Sequence, residues 1–98
     1  IIIKNNSISN NNCWGLIATN INLDICMFIN NTISNNGFCT IPDIENITTG
    51  GVLLQDIRGL HFNNNNISQN RIAVMFLRSL NIEFSKNNFI NKRWLCFI

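Results

Sequence analysis

The segments Asn31-Thr32-Ile33-Ser34-Asn35-Asn36 and Asn65-Asn66-Ile67-Ser68-Gln69-Asn70 are two copies of one phrase, and the fold follows from what that phrase belongs to. Extended in both directions it becomes apolar-x-apolar-x-x-Asn-x-apolar-x-x-Asn, with copies beginning at Ile1, Cys26, Leu60 and Ile82. The second apolar slot holds Ile3, Phe28, Phe62 and Phe84, and the third holds Ile8, Ile33, Ile67 and Phe89. The first Asn slot holds Asn6, Asn31, Asn65 and Asn87; the second holds Asn11, Asn36 and Asn70, with Lys92 in the last copy. In a chain that is 46% hydrophobic, twelve apolar residues in twelve slots would arise by chance about once in ten thousand.

Successive copies of the second apolar slot are 25, 34 and 22 residues apart. The long interval contains an extra stretch at about residues 40–50, where Pro42 and the Gly50-Gly51 pair mark an inserted loop. A further apolar segment precedes each later copy: Gly15-Leu16-Ile17-Ala18, Gly51-Val52-Leu53-Leu54 and Ala73-Val74-Met75-Phe76-Leu77. The apolar-x-apolar beat has period two and each run is too short for a helix, so these are strands. Such strands cannot bury their apolar side within one repeat, but stacked coils can. The expectation is an all-β solenoid, a parallel β-helix of about four partial coils occupying residues 1–98 as a single unit. Each strand then pairs with its counterparts about 4.8 Å above and below.

Asparagine suits the corners for two reasons. It enters the left-handed backbone region more readily than other non-glycine residues. Its amide also carries a donor and an acceptor, so stacked copies can hydrogen-bond along a column. The fifteen residues of the two Asn slots and of the second and third apolar slots are therefore the expected structural ladders.

Asn and Ile supply 21 and 18 of the 98 residues, and only 12% are charged. The net charge of +2 is scattered, with no basic cluster longer than Lys92-Arg93. Nucleic acid is not an expected partner, because phosphate binding requires a basic patch or stripe. No apolar run reaches 18 residues, so no transmembrane segment is expected. Neither end carries a recognisable targeting signal, and the chain reads as an internal segment of a longer protein.

The two quoted phrases resemble the repeats of the NosD-like family, also described as carbohydrate-binding and sugar-hydrolase repeats, over nearly the whole chain apart from the insertion. That resemblance implies a right-handed parallel β-helix in a secreted, cell-surface or periplasmic protein. The family includes copper-enzyme accessory proteins, polysaccharide lyases and epimerases, and surface proteins. The reading it favours is a non-catalytic structural or carbohydrate-binding segment. The alternatives are a copper-enzyme accessory protein, or part of a lyase or epimerase with its catalytic residues elsewhere. Expected partners are the neighbouring coils and a polysaccharide or other cell-surface ligand.

No catalytic, cofactor or metal site is assigned. The register sets Asp24 beside Arg58 and Asp56 beside Arg78, which gives each carboxylate a cationic neighbour. Asp43 and Glu45, in the insertion, are too few for Ca²⁺, which takes six to eight oxygens. His61 should point outward between Met27 and Glu83; pairing with Glu83 is the simpler expectation, and copper would need further ligands. Cys26 and Cys96 are expected as buried small apolar residues, Cys96 in one row with Val52 and Val74, while Cys13 and Cys39 sit where a disulfide could form. Trp14 and Trp94 are expected to pack at corners, though exposed rings there could stack on sugars. Leu53, Met75 and Phe97, 22 residues apart, form a row that would be an apolar ridge if it faces outward, covered perhaps by residues 41–47. The four Asn-x-Ser/Thr sequons, at Asn5, Asn30, Asn46 and Asn66, permit glycosylation and are frequent in so Asn-rich a chain.

Overall fold

The computed structural model describes residues 1–21, 26–38 and 49–90 in full and the backbone of 95–97. Among these residues the chain is all-β, with every ladder parallel. The first coil runs through β1 (Ile2–Lys4), β2 (Ser7–Ser9) and β3 (Trp14–Thr19), and the second through β4 (Met27–Ile29), β5 (Thr32–Ser34) and β6 (Gly50–Gln55). The third contains β7 (Arg58–Asn63), β8 (Asn66–Ser68) and β9 (Val74–Leu77); the fourth contains β10 (Leu80–Ser85), β11 (Asn88–Ile90) and β12 (Leu95–Phe97). Like strands of successive coils assemble into three four-stranded sheets, ordered β1-β4-β7-β10, β2-β5-β8-β11 and β3-β6-β9-β12. This is a solenoid of stacked coils with three strands in each.

Alternation within the strands decides which side chains enter the core. In the first sheet Ile3, Phe28, Phe62 and Phe84 lie in one column. The Phe28 and Phe62 ring centroids are 4.8 Å apart, and those of Phe62 and Phe84 are 5.3 Å apart. In the second sheet Ile8, Ile33, Ile67 and Phe89 align. The third sheet contributes the columns Leu16, Val52 and Val74, and Ala18, Leu54 and Phe76. In the middle coils Phe28, Ile33, Val52, Leu54, Phe62, Ile67 and Val74 are fully buried. Each such side chain contributes about 1.5–3 kcal/mol of transfer free energy. The outer coils close less completely: Ile3 and Ile8 are partly buried and Phe84 is 37% exposed.

One register differs from the sequence expectation. Leu95 pairs with Val74, Cys96 with Met75 and Phe97 with Phe76, a step of 21 residues. Cys96 therefore belongs to the row of Leu53 and Met75, and Phe97 leaves that row. In a strand a one-residue slip exchanges the two sides of the sheet, and this one aligns Leu95 and Phe97 with the core columns. A fixed step of 22 fails because the last coil is one residue shorter between Phe89 and β12. Met75 is 2% exposed yet lies outside the core cluster, while Ile17 of the same row is 56% exposed.

The conformational and hydrogen-bonding duties of the corner asparagines are divided between neighbours. The left-handed residues are Asn5, Asn30, Asn64 and Lys86 at the first corner, and Asn10, Asn35 and Gln69 at the second. Each immediately precedes a slot asparagine, which does not itself take a positive φ. The third corner uses Asn20, Asp56 and Arg78 in the same way.

At the second corner the next strand begins with the column Gly15, Gly51, Ala73, because the Asn36 and Asn70 amides fill the adjacent space. A Cβ on Gly51 would lie 2.8 Å from Ala73 O and 3.0 Å from the Asn70 amide. Gly51→Ala is expected to lower stability by about 1–3 kcal/mol, the usual cost of overpacking, as read from its urea midpoint. The insertion departs and returns here. Gly37, at φ 93°, accepts a 2.6 Å hydrogen bond from Thr49 Oγ1, so the ends of the excursion are tied together. The inserted residues 39–48, Lys92, Trp94 and Asp24 lie outside the described residues.

Candidate functional site

Two sets of polar side chains run the length of the solenoid, and they differ in what their hydrogen bonds are used for. The first set points inward at the corners. Asn31 Nδ2 donates to Asn65 Oδ1 at 3.1 Å and to Ile3 O at 2.9 Å. Asn65 Nδ2 donates to Asn87 Oδ1 at 3.0 Å and to Phe28 O at 2.8 Å. Asn65 Oδ1 in turn accepts from the backbone N–H and the amide of Asn31. All four bonds available to an amide side chain are thereby made. Asn6 enters this column through its backbone N–H and its amide, both donating to Asn31 Oδ1. Asn11, Asn36 and Asn70 repeat the arrangement at the second corner, where Asn36 Nδ2 donates to Asn70 Oδ1 at 2.9 Å and Asn70 Nδ2 to Ile33 O at 2.8 Å. Asn31, Asn36, Asn65 and Asn70 are buried, so these amides serve the fold and are closed to a ligand.

The third corner has no asparagine in the corresponding place. It holds Ile21, Ile57 and Ser79, and Ser79 Oγ performs part of the same task. It accepts from Ile57 N–H at 3.2 Å and lies 3.4 Å from Leu54 O and 3.0 Å from Leu77 O, to either of which its hydrogen can be donated.

The second set points outward from the second sheet. Strands β2, β5, β8 and β11 are three residues long, with the middle residue inward and the flanking two outward. In-register pairing arranges the outward residues in two straight columns: Ser7, Thr32, Asn66, Asn88, and Ser9, Ser34, Ser68, Ile90. Seven of these eight side chains are uncharged hydroxyls or amides. Among the described residues none of the seven makes a side-chain hydrogen bond within the chain, so their donors and acceptors face solvent unspent. Asn65 and Asn66 show the contrast between neighbours: the first is saturated and buried, the second exposed with its amide free. Sequence reasoning treated these positions as unspecified. The available signal was that the third apolar slot is flanked by Ser, Thr or Asn in every copy, apart from Ile90.

Charge lies elsewhere. His61 Nδ1 is 3.0 Å from Glu83 Oε2 on the outward side of the first sheet, with Met27 on the other side of His61 in the same column. Asp56 receives two hydrogen bonds from Arg78, Nε to Oδ1 at 2.8 Å and Nη2 to Oδ2 at 3.0 Å. The Arg78 guanidinium holds the Asp56 carboxyl below its usual range. A depressed folded pKa means that any stabilisation is present above the ordinary carboxylate range and is lost as pH falls through the lowered value. Arg78→Ala is expected to return the Asp56 titration, followed by carboxyl NMR shifts, upward to the ordinary range. Burial pushes the Cys26 thiol up, as for an inert apolar packing residue. Cys13 is exposed; Cys39 and the acids Asp43 and Glu45 lie outside the described residues.

Trp14 is partly buried opposite Gly50. Among the described residues no three His, Cys, Asp or Glu side chains gather as a metal site would require, and no helix is long and apolar enough to cross a membrane. No protein-family model, no curated protein and no solved structure matches the chain.

Proposed function

We propose that the chain is a non-catalytic segment of a right-handed β-helix of the NosD-like type, and that the outward side of its second sheet binds neutral carbohydrate at a cell surface or in a secreted protein. The observation that carries this reading is the double column of seven uncharged polar side chains with unspent hydrogen-bonding capacity. Sugar hydroxyls both donate and accept, and Ser, Thr and Asn do the same. The right-handed sense rests on the strong preference of parallel strands joined by a crossover within one sheet. Each successive pair here, such as β1 and β4, is joined in that manner.

The carbohydrate reading is tested by retention on a panel of neutral and acidic polysaccharides presented as powders and immobilised polymers. Retention on a neutral member is expected. Ser34→Glu, which places a charge at the centre of the columns, is expected to reduce that retention at least tenfold while shifting stability by no more than about 0.5 kcal/mol, as for an exposed position. Equal retention of the variant and the parent would remove the second sheet from the binding surface.

A further inference from the structure

Building on the carbohydrate reading, we infer that the ligand is an ordered polymer surface, a neutral polysaccharide in its packed, insoluble form, and not a single soluble oligosaccharide. The first reason is shape. Sites for small discrete ligands are concave and enclose most of the ligand. Here the columns stand on short strands paired without shear, and their side chains are too short to raise a wall around a sugar. No aromatic ring stands in either column to serve as a stacking platform for one sugar.

The second reason is energetic. A neutral hydrogen bond exchanged with water contributes about 0.5–1.5 kcal/mol net, whereas association costs about 4–15 kcal/mol in lost freedom. Two or three contacts to a short oligosaccharide do not cover that cost. A ligand that repeats in two dimensions engages many positions in one association event, and avidity then accumulates without any strong single contact.

The third reason is the match of periodicity and charge. The columns repeat at about 4.8 Å along the solenoid, and the two outward residues of a strand are separated by about 6–7 Å. Only a partner with its own lattice can meet such an array position by position. None of the eight outward residues is charged, while Lys4, His61 and Glu83 lie on the first sheet and Lys86 lies at a corner. A neutral lattice fits that distribution, and an acidic polymer would find no cation on this side.

The test uses the whole 98-residue chain. Sedimentation with microcrystalline cellulose and with crystalline chitin measures binding to ordered surfaces. Calorimetry with the corresponding soluble hexasaccharides, and their use as competitors, measures binding to single chains. An ice-recrystallisation assay covers a lattice of water in place of sugar. The expected result is sedimentation with at least one powder, no heat and no competition from millimolar hexasaccharide, and at least a tenfold loss of sedimentation in Thr32→Lys/Ser68→Lys. Thr19→Lys, exposed on the third sheet, should sediment like the parent. Hexasaccharide binding as tight as powder binding would overturn the ordered-surface inference and leave the carbohydrate reading standing. Binding to no carbohydrate in either form would overturn both, as would ice-growth inhibition without retention on any polysaccharide.

Discussion

Replacing Asn65 by Asp is expected to lower stability by about 3–5 kcal/mol, because two buried acceptors lose their donor and a carboxylate is left against them. Asn65 Nδ2 serves Phe28 O and Asn87 Oδ1 together, and both are oxygens. A carboxylate oxygen in that place would confront two acceptors and offer no hydrogen, and Asn65 is only 1% exposed, so water does not replace the lost donor. For a domain of this size the corresponding fall in melting temperature is about 15–30 °C.

The deficit should depend on pH. Burial beside oxygens raises the folded pKa of the new acid, so the protonated form is the one the fold tolerates. The loss is then smallest below the ordinary Asp value of about 3.9 and grows as pH rises through the raised value. Asn66→Asp, one residue along and facing solvent, is the control, with a change of no more than about 0.5 kcal/mol. Thermal melts of the two variants across pH check the whole argument, and equal melting temperatures would show that the amide column contributes nothing specific.

Phe62→Ala is the second large effect. Phe62 is fully buried between the rings of Phe28 and Phe84, so its removal opens a cavity that parallel strands on either side cannot close. The expected cost is about 3–5 kcal/mol. Phe84→Ala should cost less, because Phe84 is 37% exposed in the fourth coil and part of its transfer free energy was never gained. Urea denaturation of both variants measures the difference. A larger loss at Phe84 would mean that the outermost coil, and not the centre, holds the stack together.

Much of the architecture can be read from the residue pattern because each slot is filled by residues of one physical kind. The Phe column and the Asn columns recur at positions where only stacking gives them a common purpose. The division of labour at the corners was harder to see. Asn5 and Asn6 are the same residue type, and nothing in their spelling says that the first turns the chain while the second bonds inward. The clue was in the later copies, Gln69-Asn70 and Lys86-Asn87, where the turning residue varies and the bonding residue does not.

The third corner was obscure for a different reason, since Ile21, Ile57 and Ser79 share no chemistry. The step to Leu95 could not be found by counting, because the last coil drops a residue. The outward columns were overlooked because the pattern was written in terms of burial, and a surface is specified by what it omits. At these eight positions the omission is charge.

The polarity of the amide columns bears on how such a protein lengthens. Each coil receives donors from the coil before it at Oδ1 and passes donors to the next through Nδ2, so every junction is chemically the same junction. Tandem duplication of a DNA segment encoding one whole coil would therefore yield a longer, still-bonded protein without any compensating substitution. Copying half a coil would bring unlike strands together and break both columns at once. Growth by whole units is in this sense written into a single side chain, and it offers a simple route to matching the length of the rod to the distance it has to reach.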